Sequence, residues 1–266
     1  MTRRVGDPVT IERERHVALV TLDRGDRLNA LSLEAMRALK AAAETLREDA
    51  GVRAIVLTGK QTFCAGADLS DPEMREREGL SAVEKRSALR LGPEMCEAWA
   101  KLEPITIAAI EGFCIGGGLA LAASCDHRVS SNAAHFRLPE VPLGLNMSWR
   151  SVPRLVALIG PSRAKELIVL GRKVEAPEAL AWGLIDRMSE PGQALETAKQ
   201  LALEYSRLPP LAVRMAKEAI EVSAHPLAHA TSFMDRDQFM LARASADHAE
   251  AVAAFLEKRK ADFEGD

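Results

Sequence analysis

The stretch Ile105 to Asp126, ITIAAIEGFCIGGGLALAASCD, constrains this chain more than any other. From Ile105 to Ile110 an apolar run broken only by Thr106 has the pattern of a buried strand, and Gly116-Gly117-Gly118 then opens a helix of Ala and Leu. Glycines at such a junction let the backbone approach a ligand closely. They also leave N–H groups unpaired at a helix start, where the dipole favours negative charge. A developing oxyanion or a phosphate would be stabilised there, while tight packing of helix on strand is the competing reading of the same residues. Neither GxGxxG nor the P-loop pattern is matched, which disfavours a nucleotide phosphate.

The flanking sequence places this junction in an α/β chain. Val9–Glu12 and His16–Leu22 read as a hairpin, and Ser32 caps a helix on which Met36, Leu39, Ala43 and Leu46 keep helical spacing. Val52–Thr58 is a continuous apolar strand of the parallel-sheet kind, so strand, helix and strand succeed one another as repeating ββα or βα units. The loop Gly59–Leu69 is rich in small residues, and residues 70–80 (SDPEMREREGL) read as a mobile, charged surface segment. One long helix carrying Leu91, Met95, Trp99 and Leu102 then runs to Pro104. Beyond Asp126, short strands are expected at His127–Ser130 and His135–Arg137, and Glu140, between Pro139 and Pro142, belongs on a loop at a strand end. Helices follow at about 148–159 and 162–170, a last strand near Gly183–Met188, and only helices after residue 190. This predicts a body over residues 1–190 and a helical oligomerisation region over 191–266.

A length of 266 residues suffices for a large core, and a formal net charge of −3 without a basic run or aromatic platform argues against nucleic acid. Cys64, Cys96, Cys114 and Cys125 show no metal or disulfide spacing and read as reduced, buried thiols. His225 and His229 have helical spacing for a metal, but Pro226 and the lack of a third ligand oppose it. With no apolar leader after MTRRVGDP and no membrane-length apolar run, the expected location is the cytoplasm, without a membrane partner.

Four pieces, in order and at matching spacing, resemble the crotonase (enoyl-CoA hydratase/isomerase) superfamily over nearly the whole chain. They are Leu28-Asn-Ala-Leu31, Phe63-Cys-Ala-Gly-Ala-Asp68-Leu69, Glu111–Gly118 with Cys125-Asp126 behind it, and Phe136-Arg-Leu-Pro-Glu140. The resemblance implies a crotonase-like spiral of ββα units with C-terminal helices that build a homotrimer or hexamer. It also implies an acyl-CoA substrate, with CoA as part of the substrate and no permanently bound cofactor. Two main-chain amides would hold the thioester oxygen, at the positions matched here by Ala65 and Gly117. Amides at a helix N-terminus stabilise an enolate oxygen without reorganising. By the same analogy Ala65, Gly66, Ala67, Asp68 and Leu69 line the CoA path. Asp68 reads equally as a local cap, and Lys260 and Phe263 match positions from which a neighbouring subunit reaches CoA.

The sequence departs from the hydratase pattern at one decisive place. Hydratases of the family use two glutamates, one to activate water and one to handle the α-carbon proton; the later is present as Glu140, the earlier is Ala120. A lone carboxylate can still carry a proton between C2 and C4, so the expectation leans to 3-enoyl to 2-enoyl isomerisation. Alternatives are hydration with a compensating group, such as Glu111 or a residue of 70–80, and a non-catalytic acyl-CoA-binding subunit. Where many hydratases have a glycine-rich run after Gly144, this chain has Leu145-Asn-Met-Ser-Trp149-Arg150, so a reshaped acyl pocket is expected, with Trp149 read as packing ahead of ligand stacking.

Overall fold

The structure is a computed structural model that describes residues 2–6, 8–25 and 28–265; the side chains of residues 2–6 and of Glu78 are outside that description, as is Arg27 just before the Leu28 motif. Strands β1 (Thr2–Gly6), β2 (Val9–Glu14) and β3 (Val17–Leu22) form an antiparallel meander. Helix α1 (Leu33–Arg47) is capped by Ser32, whose hydroxyl accepts from the Ala35 N–H, and it buries Met36, Leu39, Ala43 and Leu46. The fourth strand, β4 (Ala54–Gly59), pairs parallel with β3, and β5 (Ile105–Ile110) pairs parallel with β4.

Between β4 and β5 the chain is more helical than expected, and the single long helix is divided. Residues 72–76 form α2 (Pro72–Glu76), followed by a 3-10 turn at Arg77–Gly79. This helix has a local cause: Asp71 caps it with its side chain, Pro72 sits in the first turn, and Glu73 pairs with Arg37 of α1. The helix that follows is two, α3 (Ala82–Ala88), opened by a reciprocal Ser81/Glu84 capping box, and α4 (Leu91–Ala100). Met95 and Trp99 are buried on α4, and the Trp99 indole N–H donates to the Leu39 carbonyl at 3.0 Å, which ties α4 to α1.

After β5 the chain forms β6 (Phe113–Ile115), which the sequence did not announce, then α5 (Gly117–Ala122), β7 (His127–Ser131) and β8 (His135–Arg137). Helix α6 (Ser151–Ile168) is broken at Gly160, whose φ of 74° interrupts it just before Pro161. β9 (Val174–Glu175), α7 (Ala176–Trp182) and β10 (Arg187–Ser189) close the body. Seven strands make the larger sheet in the order β1-β2-β3-β4-β5-β7-β10; β6, β8 and β9 make a smaller one. Successive strand pairs send β5 and then β7 to the larger sheet and β6 and then β8 to the smaller, each pair followed by a helix. Isolated parallel bridges, Cys64 to Cys114 and Leu31 to Ala67, continue the smaller layer back toward the earlier turns. This is the ββα spiral.

Alternate residues of the parallel strands face two cores. Ile55, Leu57, Ala108 and Ile110 join α1 and α5 in the larger core. Ala54, Val56, Ile105, Ile107 and Val129 face α8 (Ala194–Ser206), through Ala198, Leu201 and Ala202. Helices α9 (Pro210–Ala224), α10 (Ala228–Ser232), α11 (Asp235–Arg243) and α12 (Ala246–Glu257) follow. Among the described residues no helix is long and apolar enough to cross a membrane.

One buried ion pair fastens α9 to the body. Lys217 donates to Asp126 at 2.7 Å and to the Pro104 carbonyl at 2.9 Å, while Asp126 also accepts from the Thr106 amide and hydroxyl at 2.7 and 2.9 Å. Removing the ammonium leaves a half-buried carboxylate without its counter-charge. Lys217→Ala is therefore expected to lower unfolding stability by roughly 3 kcal/mol, measured by urea denaturation; an unchanged midpoint and slope would show that the pair contributes nothing net.

Candidate active site

The four sequence motifs meet beyond the ends of β4 and β5. Leu31 is clamped onto the small-residue turn: its N–H donates to the Gly66 carbonyl at 2.7 Å, and its carbonyl accepts from the Asp68 N–H at 3.0 Å. In a parallel pairing of this kind the residue between the two partners, Ala67, turns its own N–H and carbonyl away from Leu31. The adjoining Cys64 pairs with β6, accepting from the Ile115 N–H at 3.0 Å and donating to the Phe113 carbonyl at 2.8 Å. Thus the turn 65–68 lies directly against the glycine turn that opens α5.

Glycine is required for that contact. A Cβ on Gly118 would sit 2.7 Å from the Cβ of Cys64, and one on Gly116 would lie 3.9 Å from the Gly66 Cα and 2.7 Å from Glu140 Oε1. Gly116 also has a φ of 51°, a conformation that L side chains rarely adopt. Its N–H donates to the Arg137 carbonyl at 2.9 Å, and its carbonyl accepts from the Ala120 N–H at 3.0 Å, so Gly117 is the first residue of the helix with no intrahelical acceptor for its N–H.

The two expected amide donors differ in their surroundings. The Ala65 N–H already donates to the Leu28 carbonyl at 3.1 Å, an acceptor presented by Leu28 and Asn29 at φ of 49° and 52°. Among the described residues the Ala67 N–H has no hydrogen-bond partner, and Ala67 is exposed whereas Gly66 is buried. Nothing in a single sequence separates these two alanines, because the difference lies entirely in which way each amide points.

Asp68 is buried, pairs with Arg24 at 2.7 Å, and accepts from the Ser70 N–H at 3.0 Å and the Ser70 hydroxyl at 2.6 Å. Its pKa is lowered: burial works against the charge, and the hydrogen bonds from Ser70 and Arg24 outweigh it. The side chain thus braces the turn locally, while Leu69 beside it stays 73% exposed. Lys260 and Phe263 are exposed on the terminal segment, which folds back along α12 through Asp262 to Glu250 and Glu264 to Asp247.

Glu140 occupies the start of a 3-10 turn, Val141–Leu143, and its carbonyl accepts from the Leu143 and Leu145 amides at 3.0 and 2.9 Å. Gly144, at a φ of 70°, packs on His248 of α12, and the His248 ring bonds the Leu143 carbonyl at 2.6 Å. With its backbone held on both sides, the carboxylate points at the glycine turn: Oε1 faces Gly116 and Oε2 is buried with no hydrogen-bond partner among the described residues. Burial pushes the Glu140 carboxyl up to about 7.

The other acids considered from sequence are engaged elsewhere. Glu111 accepts from the Ala194 N–H at 3.0 Å at the head of α8, Asp71 from the Leu33 and Glu73 amides, and Glu73 pairs with Arg37. Ala120 is fully buried. Trp149 stands over the same helix: a Cβ on Gly117 would come within 2.6 Å of its Cη2, and one on Gly92 of α4 within 2.7 Å of its Cζ2. Both Trp149 and Arg150 hold left-handed backbone, φ 60° and 55°, at a cost of about 1–3 kcal/mol each. Asp235 of α11 offsets part of it by accepting the Arg150 N–H at 2.7 Å, and Arg150 also pairs with Glu97 at 2.9 Å.

A charged cleft of about 370 Å³ lies away from this junction, between α1, α4 and the α10–α11 region. Its lining includes Lys40, Glu94, Glu97, Arg150 and Asp235, most of them already paired with one another. It lacks the convergent backbone amides found at the glycine turn.

Comparison with known proteins places the chain in a family. The family model described as enoyl-CoA hydratase/isomerase matches residues 12–266. The short-chain-enoyl-CoA hydratase of Clostridium acetobutylicum is 35% identical over 254 residues, covering 95% of each chain. The 2,3-dehydroadipyl-CoA hydratase of Escherichia coli is 33% identical, covering 96% of this chain and 98% of that one. A crystal structure of enoyl-CoA hydratase/isomerase from Pseudoalteromonas atlantica T6c superposes with a TM-score of 0.85 at 30% identity, covering 96% of this chain and 99% of the other. The chain is a member of the enoyl-CoA hydratase/isomerase family, in the crotonase superfamily, and has its fold.

Proposed function

We propose that this enzyme moves the double bond of a 3-enoyl-CoA to the 2-position, with Glu140 as its single acid/base. The observation that carries the reading is a buried carboxylate, solitary among the described residues and raised to about 7, facing the glycine turn while Ala120 stands where hydratases carry their other glutamate. The thioester oxygen is held by the N–H groups of Gly117 and Ala67. Ala67 replaces the sequence-based choice of Ala65, whose amide is spent on the Leu28 carbonyl. Losing one such donor typically costs ~3 kcal/mol of transition-state stabilisation.

The chemistry then needs no second group. Glu140 removes a C2 proton, the electrons move into a dienolate whose negative oxygen is bound by the two amides, and the same carboxyl returns the proton to C4. The C3–C4 double bond is thereby exchanged for C2–C3, with no net gain or loss of a proton. CoA enters as part of the substrate, with no resident cofactor, along the main chain of Ala65–Leu69. Lys260 and Phe263 serve the nucleotide end of a neighbouring subunit's substrate in a homotrimer or hexamer. The exposed apolar side chains of the last helices, such as Leu211, Met215, Ile220 and Leu241, suit burial against further copies.

The names of the relatives favour a second reading, hydration, which would need another group to activate water. A panel of 2-enoyl, 3-enoyl and 3-hydroxyacyl thioesters with product identification separates the two. Conversion of 3-enoyl to 2-enoyl-CoA is expected to dominate; dominant 3-hydroxyacyl-CoA formation would overturn the isomerase reading, and tight binding without turnover would show a lapsed enzyme.

Glu140→Gln is expected to lower kcat by ~100-fold or more, and undiminished turnover would remove Glu140 from the mechanism. Because the base must be ionised, wild-type kcat/KM should rise with pH through a midpoint near 7 and then level off. A flat profile between pH 5 and 9 would contradict a raised carboxyl.

The same shift has a stability consequence with a definite sign. A carboxyl whose folded pKa lies above its unfolded value binds more protons when folded, so its contribution is fully favourable at low pH. That contribution is lost as pH rises from the ordinary Glu value toward 7. Glu140→Gln should therefore raise Tm relative to wild type more at pH 8 than at pH 5. An equal change at both would mean the buried charge costs nothing.

A further inference from the structure

We infer that Trp149 is the residue that keeps this site from adding water: its indole occupies the space over α5 into which a second carboxylate at position 120 would have to extend. The inference rests on the proposed enolate chemistry at Glu140 and deepens it. Gly117 and Ala120 are three residues apart on α5 and share a face. Side chains of a helix lean toward its N-terminus, so anything longer than Ala at 120 covers the turn at 116 and 117. There the indole already lies against Gly117, and Glu140 Oε1 against Gly116.

The placement of the indole is built from several sides. Gly92 on α4 leaves the opposite wall bare, so the ring lies between two helices at positions where neither carries a Cβ. The left-handed pair Trp149-Arg150 that aims it is held by Asp235 and Glu97. Hydration requires that water's oxygen bond to C3, that one carboxylate take the proton it gives up, and that another deliver a proton to C2. With the indole over α5, the place for the second carboxylate and its water is filled by apolar ring. Trp149 is thus a specificity-determining residue, and a carboxylate at 120 is insufficient by itself to convert the enzyme.

The test compares wild type, Ala120→Glu, and Ala120→Glu combined with Trp149→Ala, using a short 2-enoyl-CoA and measuring 3-hydroxyacyl-CoA formation. Trp149→Leu in the same background gives a second version that leaves a smaller void, and thermal unfolding verifies that each variant is folded. The double variants are expected to hydrate ~100-fold faster than Ala120→Glu alone. Equal rates in the single and double variants, including no hydration in any of them, would overturn the role of Trp149. Solvent deuterium uptake at C2 of a saturated acyl-CoA by wild type reads the enolate chemistry separately. Absence of exchange would count against Glu140 and the two amides while leaving the hydration comparison to decide on Trp149.

Discussion

The site depends on how closely two turns of main chain approach each other. The strand ends at Cys64 and Cys114 are bridged as in a parallel sheet, and beyond that bridge the 65–68 turn and the glycine turn are in contact. Any Cβ at Gly118 would strike Cys64, and any at Gly116 would strike the Glu140 carboxylate. Glycine there is the condition for helix α5 to begin beside an amide of the other turn. Once it does, helix geometry leaves the Gly117 N–H without an internal acceptor.

The spiral explains why such distant parts of the sequence meet. Each ββα unit sends one strand to the larger sheet and one segment to the smaller, so the smaller layer brings Leu31, Ala67, Cys64, Cys114 and Phe136 side by side. The motifs that look separate in sequence are neighbouring rungs of that layer. Glu140 follows from the next rung, β8, and its 3-10 turn is held by α12 through Gly144 and His248. In this way the C-terminal helices bear directly on the carboxylate's position.

Much of this was legible in the sequence, for reasons that can be named. The run Ile105–Ile110 is buried on both faces, and Ser32 and Gly160-Pro161 punctuate the helices where capping and ring geometry require, whereas α4 ends at Ala100, short of the expected stop at Pro104. Glu140 stood out by type and by its place between prolines. Other features were not legible because they are matters of direction or of distant contact. Residues 72–79 read as surface charge until Asp71 is seen capping and Arg37 is seen holding Glu73. β6 is only three residues long, too short for alternation to show, and it is fixed by its partners. Ala65 and Ala67 differ only in where each amide points, and Trp149 reads as ordinary packing until Gly92 and Gly117 are found bare beneath its ring.

In the proposed complex one oxygen of a thioester sits between the Ala67 and Gly117 amides with the Glu140 carboxylate facing the adjacent carbon. A crystal structure of the enzyme with an acetoacetyl-CoA-type thioester tests it most directly. That oxygen is expected within hydrogen-bond reach of both N–H groups, about 2.7–3.1 Å, with Glu140 turned toward C2. A thioester oxygen held by the Ala65 amide, or lying in solvent away from the glycine turn, would contradict it.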